Sequence, residues 1–170
     1  ANAESTGASV ENVNLLNNGD VDFAMVQNDV SYYAFNAIEM FEGEAAMENL
    51  RGLASLYPET IQIVANADEN IQTVADLAGK RVAVGAPGSG TEANARQILA
   101  AYGLTYDDIQ PDYLSFGEAS DNLKDGHVAA AFVTAGTPTA AITDLATTKD
   151  INIVPIASAD AQGLIAEYPY

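Results

Sequence analysis

Two hydroxyls set among glycines are the residues best suited to chemistry in this chain. Ser89 and Thr91 lie in Gly85-Ala86-Pro87-Gly88-Ser89-Gly90-Thr91-Glu92. Glycines let a backbone come close to a ligand, and hydroxyls add donors. The preceding run, Arg81-Val82-Ala83-Val84, reads as a buried parallel strand. The following segment, Ala93 to Tyr102, carries Ile98, Leu99 and Tyr102 at helical spacing, and Gly103 stands where a C-cap belongs. Ser89 and Glu92 have capping-box spacing, so the helix starts near Ser89. A strand, a glycine-rich turn and a helix N-terminus together form an anion cradle, because the first N–H groups and the positive end of the dipole point at whatever sits there.

The cradle matches no named nucleotide or hydrolase motif. It lacks the Gly-Lys-Ser/Thr close of a Walker A loop and the third glycine of Gly-x-Gly-x-x-Gly, and Pro87 rules out a Gly-x-Ser-x-Gly elbow. A capped βα turn with no ligand fits the same residues, and both readings stand at this point.

A second polar set, Gln27-Asn28-Asp29, follows the apolar run Val21 to Val26, expected to be a strand. Ligands of open α/β sheets bind beyond the C-terminal ends of strands, which makes all three candidates. Asp29 equally suits an N-cap for a helix expected over Val30 to Phe41.

Composition narrows the partners. Of 170 residues, 24 are acidic and 6 basic, a formal charge of -18. Nucleic acid and anionic membrane surfaces need clustered Lys and Arg, so both are excluded as partners. The absence of cysteine removes disulfides and thiolate chemistry, and one histidine cannot build a multi-histidine metal site. Neither a cofactor nor a metal is called for. No run is long and apolar enough to span a bilayer, so no direct membrane insertion is expected. With 48% hydrophobic residues the chain can bury a core.

The positioning elements alternate. A helix carries Val10, Val13 and Leu16 and ends at Asn17-Asn18-Gly19-Asp20. Phe41 to Glu44 reads as a loop, Leu50 to Leu56 is apolar around Arg51, and Ile61 to Ala65 alternates like a strand. Val74 to Lys80 is a short helix with a glycine stop. Strands are expected at Tyr113 to Phe116, Val128 to Thr134 and Ile151 to Ile156, and helices at Gly117 to Lys124, from the Ala135 to Thr139 stretch to about Leu145, and at Ala159 to Tyr168. This is an α/β pattern. Leu16 to Val26 and Leu123 to Val133 share a helix end, a glycine turn and an apolar run, each preceded by Ser-x-Gly (Ser5-Thr6-Gly7 and Ser115-Phe116-Gly117). The echo suits two similar lobes facing a cleft, or the general likeness of βα units.

The run Val74-Ala75-Asp76-Leu77-Ala78-Gly79-Lys80-Arg81-Val82-Ala83-Val84-Gly85 resembles the crossover into the second lobe of type II periplasmic solute-binding proteins. Ser5-Thr6-Gly7-Ala8-Ser9, Gln27-Asn28-Asp29, Leu56-Tyr57-Pro58-Glu59, the Gly85 to Thr91 stretch and Phe132-Val133-Thr134-Ala135-Gly136-Thr137-Pro138, in that order, resemble the TAXI-type substrate-binding subunits of TRAP transporters. The resemblance implies a two-lobe α/β fold with a ligand cleft. Lobe one would hold residues 1–63, lobe two 64–152, and 153–170 would return toward the hinge and lobe one. Family members are longer at both ends, so it also implies an internal stretch with an incomplete first lobe. It implies capture of a small organic anion or amino acid, glutamate-like or a dicarboxylate, in a periplasmic or extracytoplasmic setting, for delivery to TRAP membrane permease subunits. The implied contacts are Thr6, Ser9, Gln27, Asn28, Asp29, Tyr57, Gly88, Ser89, Thr91, Thr134, Ala135, Gly136 and Thr137. Ile61 to Ala65 and Ile151 to Ile156 would be hinge strands.

A net charge of -18 repels anions at long range. Recognition then rests on donors at helix N-termini: Thr6, Ser9, Ser89, Thr91 and Thr137. Arg96 lies a turn or so past Ser89, within reach of the site or on a solvated face. Tyr57 suits ligand packing or hinge packing, and Glu59 an ammonium or solvent. An enzyme would need a nucleophile with a partner base, for which the single turn histidine His127 is poorly placed. A ligand-sensing domain of a signalling protein is the other alternative.

Overall fold

The computed structural model describes residues 2–170. Five strands make one mixed sheet: β1 Thr60–Asn66, β2 Arg81–Ala83, β3 Gln110–Asp112, β4 Ala130–Ala135 and β5 Ile151–Ile153. Their order in space is β3-β2-β4-β1-β5. β2 runs parallel to β3 and β4, while β1 runs antiparallel to β4 and β5. Six helices accompany the sheet: α1 Ser9–Asn18, α2 Asn28–Asn36, α3 Gly90–Ala101, α4 Phe116–Asp125, α5 Ala140–Ala146 and α6 Ser158–Glu167. None is long and apolar enough to cross a membrane among the described residues.

The alternation of strand side chains sorts the core into two faces. Ile63, Ala65, Val82, Ala130 and Phe132 pack with Ala95, Ile98 and Leu99 of α3 and Leu164 of α6. Val64, Ala83 and Ala131 turn the other way, onto Ala119 and Leu123 of α4 and Leu145 of α5. Small residues of β4 let helices on both faces approach closely. Pro111 is tolerated because β3 is an edge strand, paired only with β2.

Residues 2–59 contain α1, α2 and a single 3-10 turn at Glu39–Phe41, and no strand. They hold a separate small core of Val13, Val30, Tyr33, Ala34, Phe41 and Met47. The strand expected at Val21 to Val26 does not form. The segment bends at Asp22 and has no partner strand, and Phe23 and Met25 are 75% and 61% exposed. A ladder needs a neighbour to accept its hydrogen bonds, and the described residues offer none here.

Other boundaries shift for local reasons. The strand expected at Tyr113 to Phe116 lies earlier, at Gln110–Asp112, because Ser115 is the N-cap of α4 and forms a full capping box with Glu118. The helix expected over Val30 to Phe41 starts at Asn28 and stops at Asn36, where Ala37 turns left-handed. α5 begins only after Thr139, so Thr137 does not stand at its N-terminus. β4, at Ala130–Ala135, starts two residues later and ends one residue later than the expected Val128 to Thr134, and β5 is shortened to Ile151–Ile153 within its expected run. Gly103 closes α3 as expected, with φ +70 and Leu104 N–H donating back to the Leu99 carbonyl at 2.9 Å.

The echo between the two helix-turn units is real at their C-caps. Gly19 and Gly126 sit at φ 78 and 74. Each donates to a carbonyl three residues back, and each following residue, Asp20 or His127, donates five back, to Leu15 or Asn122, at 2.9 and 2.8 Å. The Ser-x-Gly halves of the echo differ. Ser115 caps α4, whereas α1 has Ala8 at its N-cap without a side-chain cap, and Glu11 instead accepts from the Gly7 N–H.

Candidate functional site

The β2–α3 turn is built as its sequence demands. Gly85 takes φ +104, and a side chain there would meet the Ser89 hydroxyl at 2.8 Å and the Glu92 N–H at 3.0 Å. Ser89 Oγ accepts from Glu92 N at 3.1 Å, starting α3. The reverse half of the expected capping box is absent. Ser89 N–H donates to the Ala86 carbonyl at 3.0 Å, and the Glu92 carboxylate turns to Arg96 Nε at 2.6 Å and the Tyr106 hydroxyl at 2.9 Å. Arg96 also stacks over the Tyr106 ring at 4.5 Å. That cluster anchors the outer side of α3 and takes Arg96 away from the cleft; burial and the Glu92 carboxylate hold the Tyr106 phenol far above its ordinary range.

The inner side of α3 faces a cleft of about 1980 Å³ between this helix, α1, α2 and the irregular segments Val21 to Val26 and Arg51 to Glu59. It is larger than the ~300–1,000 Å³ of enclosed ligand pockets, so it is an open trough of which a small ligand fills part. Thr91 is only 3% exposed yet lines the trough, and its hydroxyl has no protein partner among the described residues. The N–H groups of Gly90 and Thr91 likewise find no acceptor among the described residues. Three donors without a protein acceptor among the described residues thus stand at the positive end of α3.

A buried polar network closes the trough floor. Asn94 Nδ2 donates to Asp29 Oδ2 at 2.8 Å, and Asn94 Oδ1 accepts from Gln27 Nε2 and Thr134 Oγ1, both at 3.2 Å. Asp29 Oδ1 accepts from Val30 N–H at 2.8 Å and from Gln27 Nε2 at 3.4 Å. Gln27 N–H in turn donates to Ser9 Oγ at 3.1 Å, and Val10 N–H to the Gly88 carbonyl at 3.3 Å. Residues from α1, α2, α3 and β4 are thereby joined. The fit at α3 is close, because a side chain at Gly90 would strike the Gln27 carboxamide. Nearby, Gln97 Nε2 donates to the Tyr33 hydroxyl at 2.6 Å, and burial holds that phenol far above its ordinary range.

Of the residues singled out from sequence, Ser9, Gln27, Asn28, Asp29, Tyr57, Ser89, Thr91 and Thr134 line the trough. Thr6 does not, being exposed with its hydroxyl on the Asn12 side chain at 2.7 Å. Gly88, Ala135, Gly136 and Thr137 lie outside the lining. Gly88 instead tethers α1, and Gly136 packs near the Tyr57 ring. Asn94, Gln97 and Tyr33 are additions that sequence reasoning missed. Asparagine inside a helix is disfavoured, and that was the available signal for Asn94.

The charges of the trough are mostly negative. Arg51 is its one basic residue among those described, and its guanidinium donates to the Glu48 and Leu50 carbonyls at 2.7 and 2.6 Å. Asp29 is 9% exposed with no ion-pair partner among the described residues. Glu59 keeps part of its surface in solvent, yet packing around its carboxyl, and then Asp29, raise it above the usual carboxylate range.

The fold recurs in solved structures. The periplasmic aliphatic sulphonate binding protein SsuA from Escherichia coli matches with a TM-score of 0.59 and 23% identity, over 88% of this chain and 47% of that one. The alkanesulfonate-binding protein SsuA from Xanthomonas axonopodis pv. citri, bound to MOPS, matches with a TM-score of 0.57 and 24% identity, over 88% and 48%. The chain spans about half the length of these proteins, and at such identities the likeness is one of fold: the mixed α/β fold of type II periplasmic binding proteins. The model of the NMT1-like family matches residues 1–170.

Proposed function

The chain belongs to the NMT1-like family, and from that premise we propose that it is the ligand-holding part of an extracytoplasmic solute-binding protein, a binder and not an enzyme. Its ligand is a small organic anion or amino acid, glutamate-like or a dicarboxylate, passed on to the membrane permease of a TRAP-type transporter. The motifs that resemble TAXI-type subunits support the transporter class. The solved structures of similar fold support the periplasmic setting, since two of them carry periplasmic or sulphonate-binding names.

The observation that carries the reading is the buried, unpartnered Thr91 hydroxyl lining the trough, beside the Gly90 and Thr91 N–H groups that begin α3 without an acceptor among the described residues. A carboxylate seated there gains charge-assisted hydrogen bonds and the helix dipole at once. Residues up to about 63 form one wall of this proposed site and residues 64–152 the other, with 153–170 returning across. β1 and β5 are adjacent antiparallel strands, suited to act as the hinge between walls.

Native mass spectrometry of the purified chain, with a denatured spectrum alongside, tests this. A noncovalent small acid that departs on denaturation, or stoichiometric binding on titration with L-glutamate or succinate, is the expected result. Thr91→Val should then weaken binding by about 1–3 kcal/mol, the cost of a hydrogen bond lost to a charged group. An empty chain that binds no such acid, or turnover of one, would refute the reading.

A further inference from the structure

The α3 cradle accounts for one end of a ligand, and the acidic residues of the trough floor and of the Arg51 to Glu59 segment constrain the other. Asp29 is buried and ionisable, yet its partners are all neutral donors: the Asn94 and Gln27 amides and the Val30 N–H. A carboxylate offers about four acceptor positions, so roughly one is left open. Glu59, on the neighbouring Arg51 to Glu59 segment, has no protein donor among the described residues and lines the same trough as Asp29, whose charge, after burial, helps to raise the Glu59 carboxyl. Arg51, the one basic residue among those lining the trough, is committed to two backbone carbonyls and makes no ion pair with either acid. Like charges that share a concave, partly desolvated wall are costly unless a cation joins them.

Resting on the binding reading above, we infer that Asp29 and Glu59 form an ammonium-selecting wall, so that the trough takes a zwitterion, an α-amino acid, in preference to an organic acid without an amine. The ligand carboxylate lies at the α3 N-terminus and its ammonium faces Asp29 and Glu59. Asn94 sits one helical turn from Thr91, so both ends of a short zwitterion reach their partners, since a turn rises only ~5 Å. A dicarboxylate would instead set its second charge against two acids.

Calorimetric titration of the purified chain with matched pairs tests this: L-glutamate and glutarate, L-aspartate and succinate, L-leucine and 4-methylpentanoate. At least one amino acid should bind about tenfold or more tighter than its deamino partner. That is a modest demand, because a unit charge ~4 Å away at an effective dielectric of about 20 changes affinity by up to roughly a thousandfold. Asp29→Asn, and separately Glu59→Gln, should shrink the ratio while the deamino partner binds as well as before or better. Glu59 is exposed, so its variant keeps the test valid if Asp29→Asn misfolds. Deamino acids that bind as tightly as amino acids, and lose affinity on Thr91→Val, would overturn the zwitterion preference and leave the binding reading intact. A folded chain that binds no member of the panel would overturn both.

Discussion

Val21–Val26 and Ala130–Ala135 follow matching units: a helix, a left-handed glycine at position 19 or 126, and an apolar run. The second lies in the middle of a five-stranded sheet and is almost wholly buried; the first has no partner and shows Phe23 to solvent. The local signals are the same, and the neighbours differ. Ala130 to Ala135 has β2 on one side and β1 on the other, which satisfy its backbone and cover both its faces. Extended backbone becomes a strand only where another chain segment accepts its hydrogen bonds. Residues 60–157 are therefore a sheet with helices on both faces, and residues 2–59 are two helices around a small core of their own.

The contrast predicts unequal stability. Phe132 and Phe41 are buried alike, at 1% and 2% exposure. Phe132→Ala should cost about 3–5 kcal/mol of global stability in urea denaturation, as for truncation at the centre of a core. Phe41→Ala should instead open residues 2–59 locally, seen as faster hydrogen exchange there with β1 and β4 still protected. Equal global losses would mean that the two regions unfold as one.

Next in size is the turn that the sheet region supplies to the site. Gly85→Ala puts a Cβ at φ +104 against the Glu92 backbone at 3.0 Å. Left-handed strain and that contact together should remove about 2–3 kcal/mol, and the melting temperature reads it. A wild-type melting temperature would show that the turn relaxes freely.

A smaller change should loosen the joint between the regions without unfolding either. Gly90→Ala pushes out the Gln27 carboxamide and its bond to Asn94. The expected loss is about 0.5–1.5 kcal/mol, the net worth of one hydrogen bond, with a clearer effect on exchange at Gln27 to Val30 than at β4. Unchanged exchange at Gln27 would argue that the joint is held elsewhere.

The smallest effect concerns the helix starts of the two units. The Ser115 hydroxyl and N–H hold the Glu118 carboxyl below its usual range. A depressed folded value contributes stability above the unfolded pKa of about 4.3 and loses it as pH falls through the folded value. Glu118→Gln should therefore lower the melting temperature slightly at neutral pH, with the gap to wild type closing below about pH 4. A gap that persists in acid would assign the effect to something other than the ionised cap.

Local grammar was legible throughout. Ser89, Gly103 and Gly126 mark helix ends because capping geometry depends on only a few adjacent residues. Ser115 was missed as a cap because Tyr113-Leu114 before it is equally good strand sequence, and the β2 pairing chose Gln110–Asp112 instead. Thr6 and Thr137 have the right chemistry for an N-cap, but their helices begin at Ser9 and Ala140. Gln97 reaches the trough through helix phase and the packing of α3 against β4, which residue type alone does not reveal; for Asn94 residue type marks an oddity but not its partners.

By itself the sequence determined the α/β alternation, the glycine turn before α3, the hydroxyls that line it and the excess of negative charge, since each depends on residue type and short spacing. Tertiary structure decided the rest. It made β1 antiparallel between β4 and β5, left Val21 to Val26 without a partner, turned Arg96 outward onto Glu92 and Tyr106, and brought Asp29 within 2.8 Å of Asn94, 65 residues away. Those outcomes turn on which distant segments meet, and that is set by burial of the whole core rather than by any local run of residues.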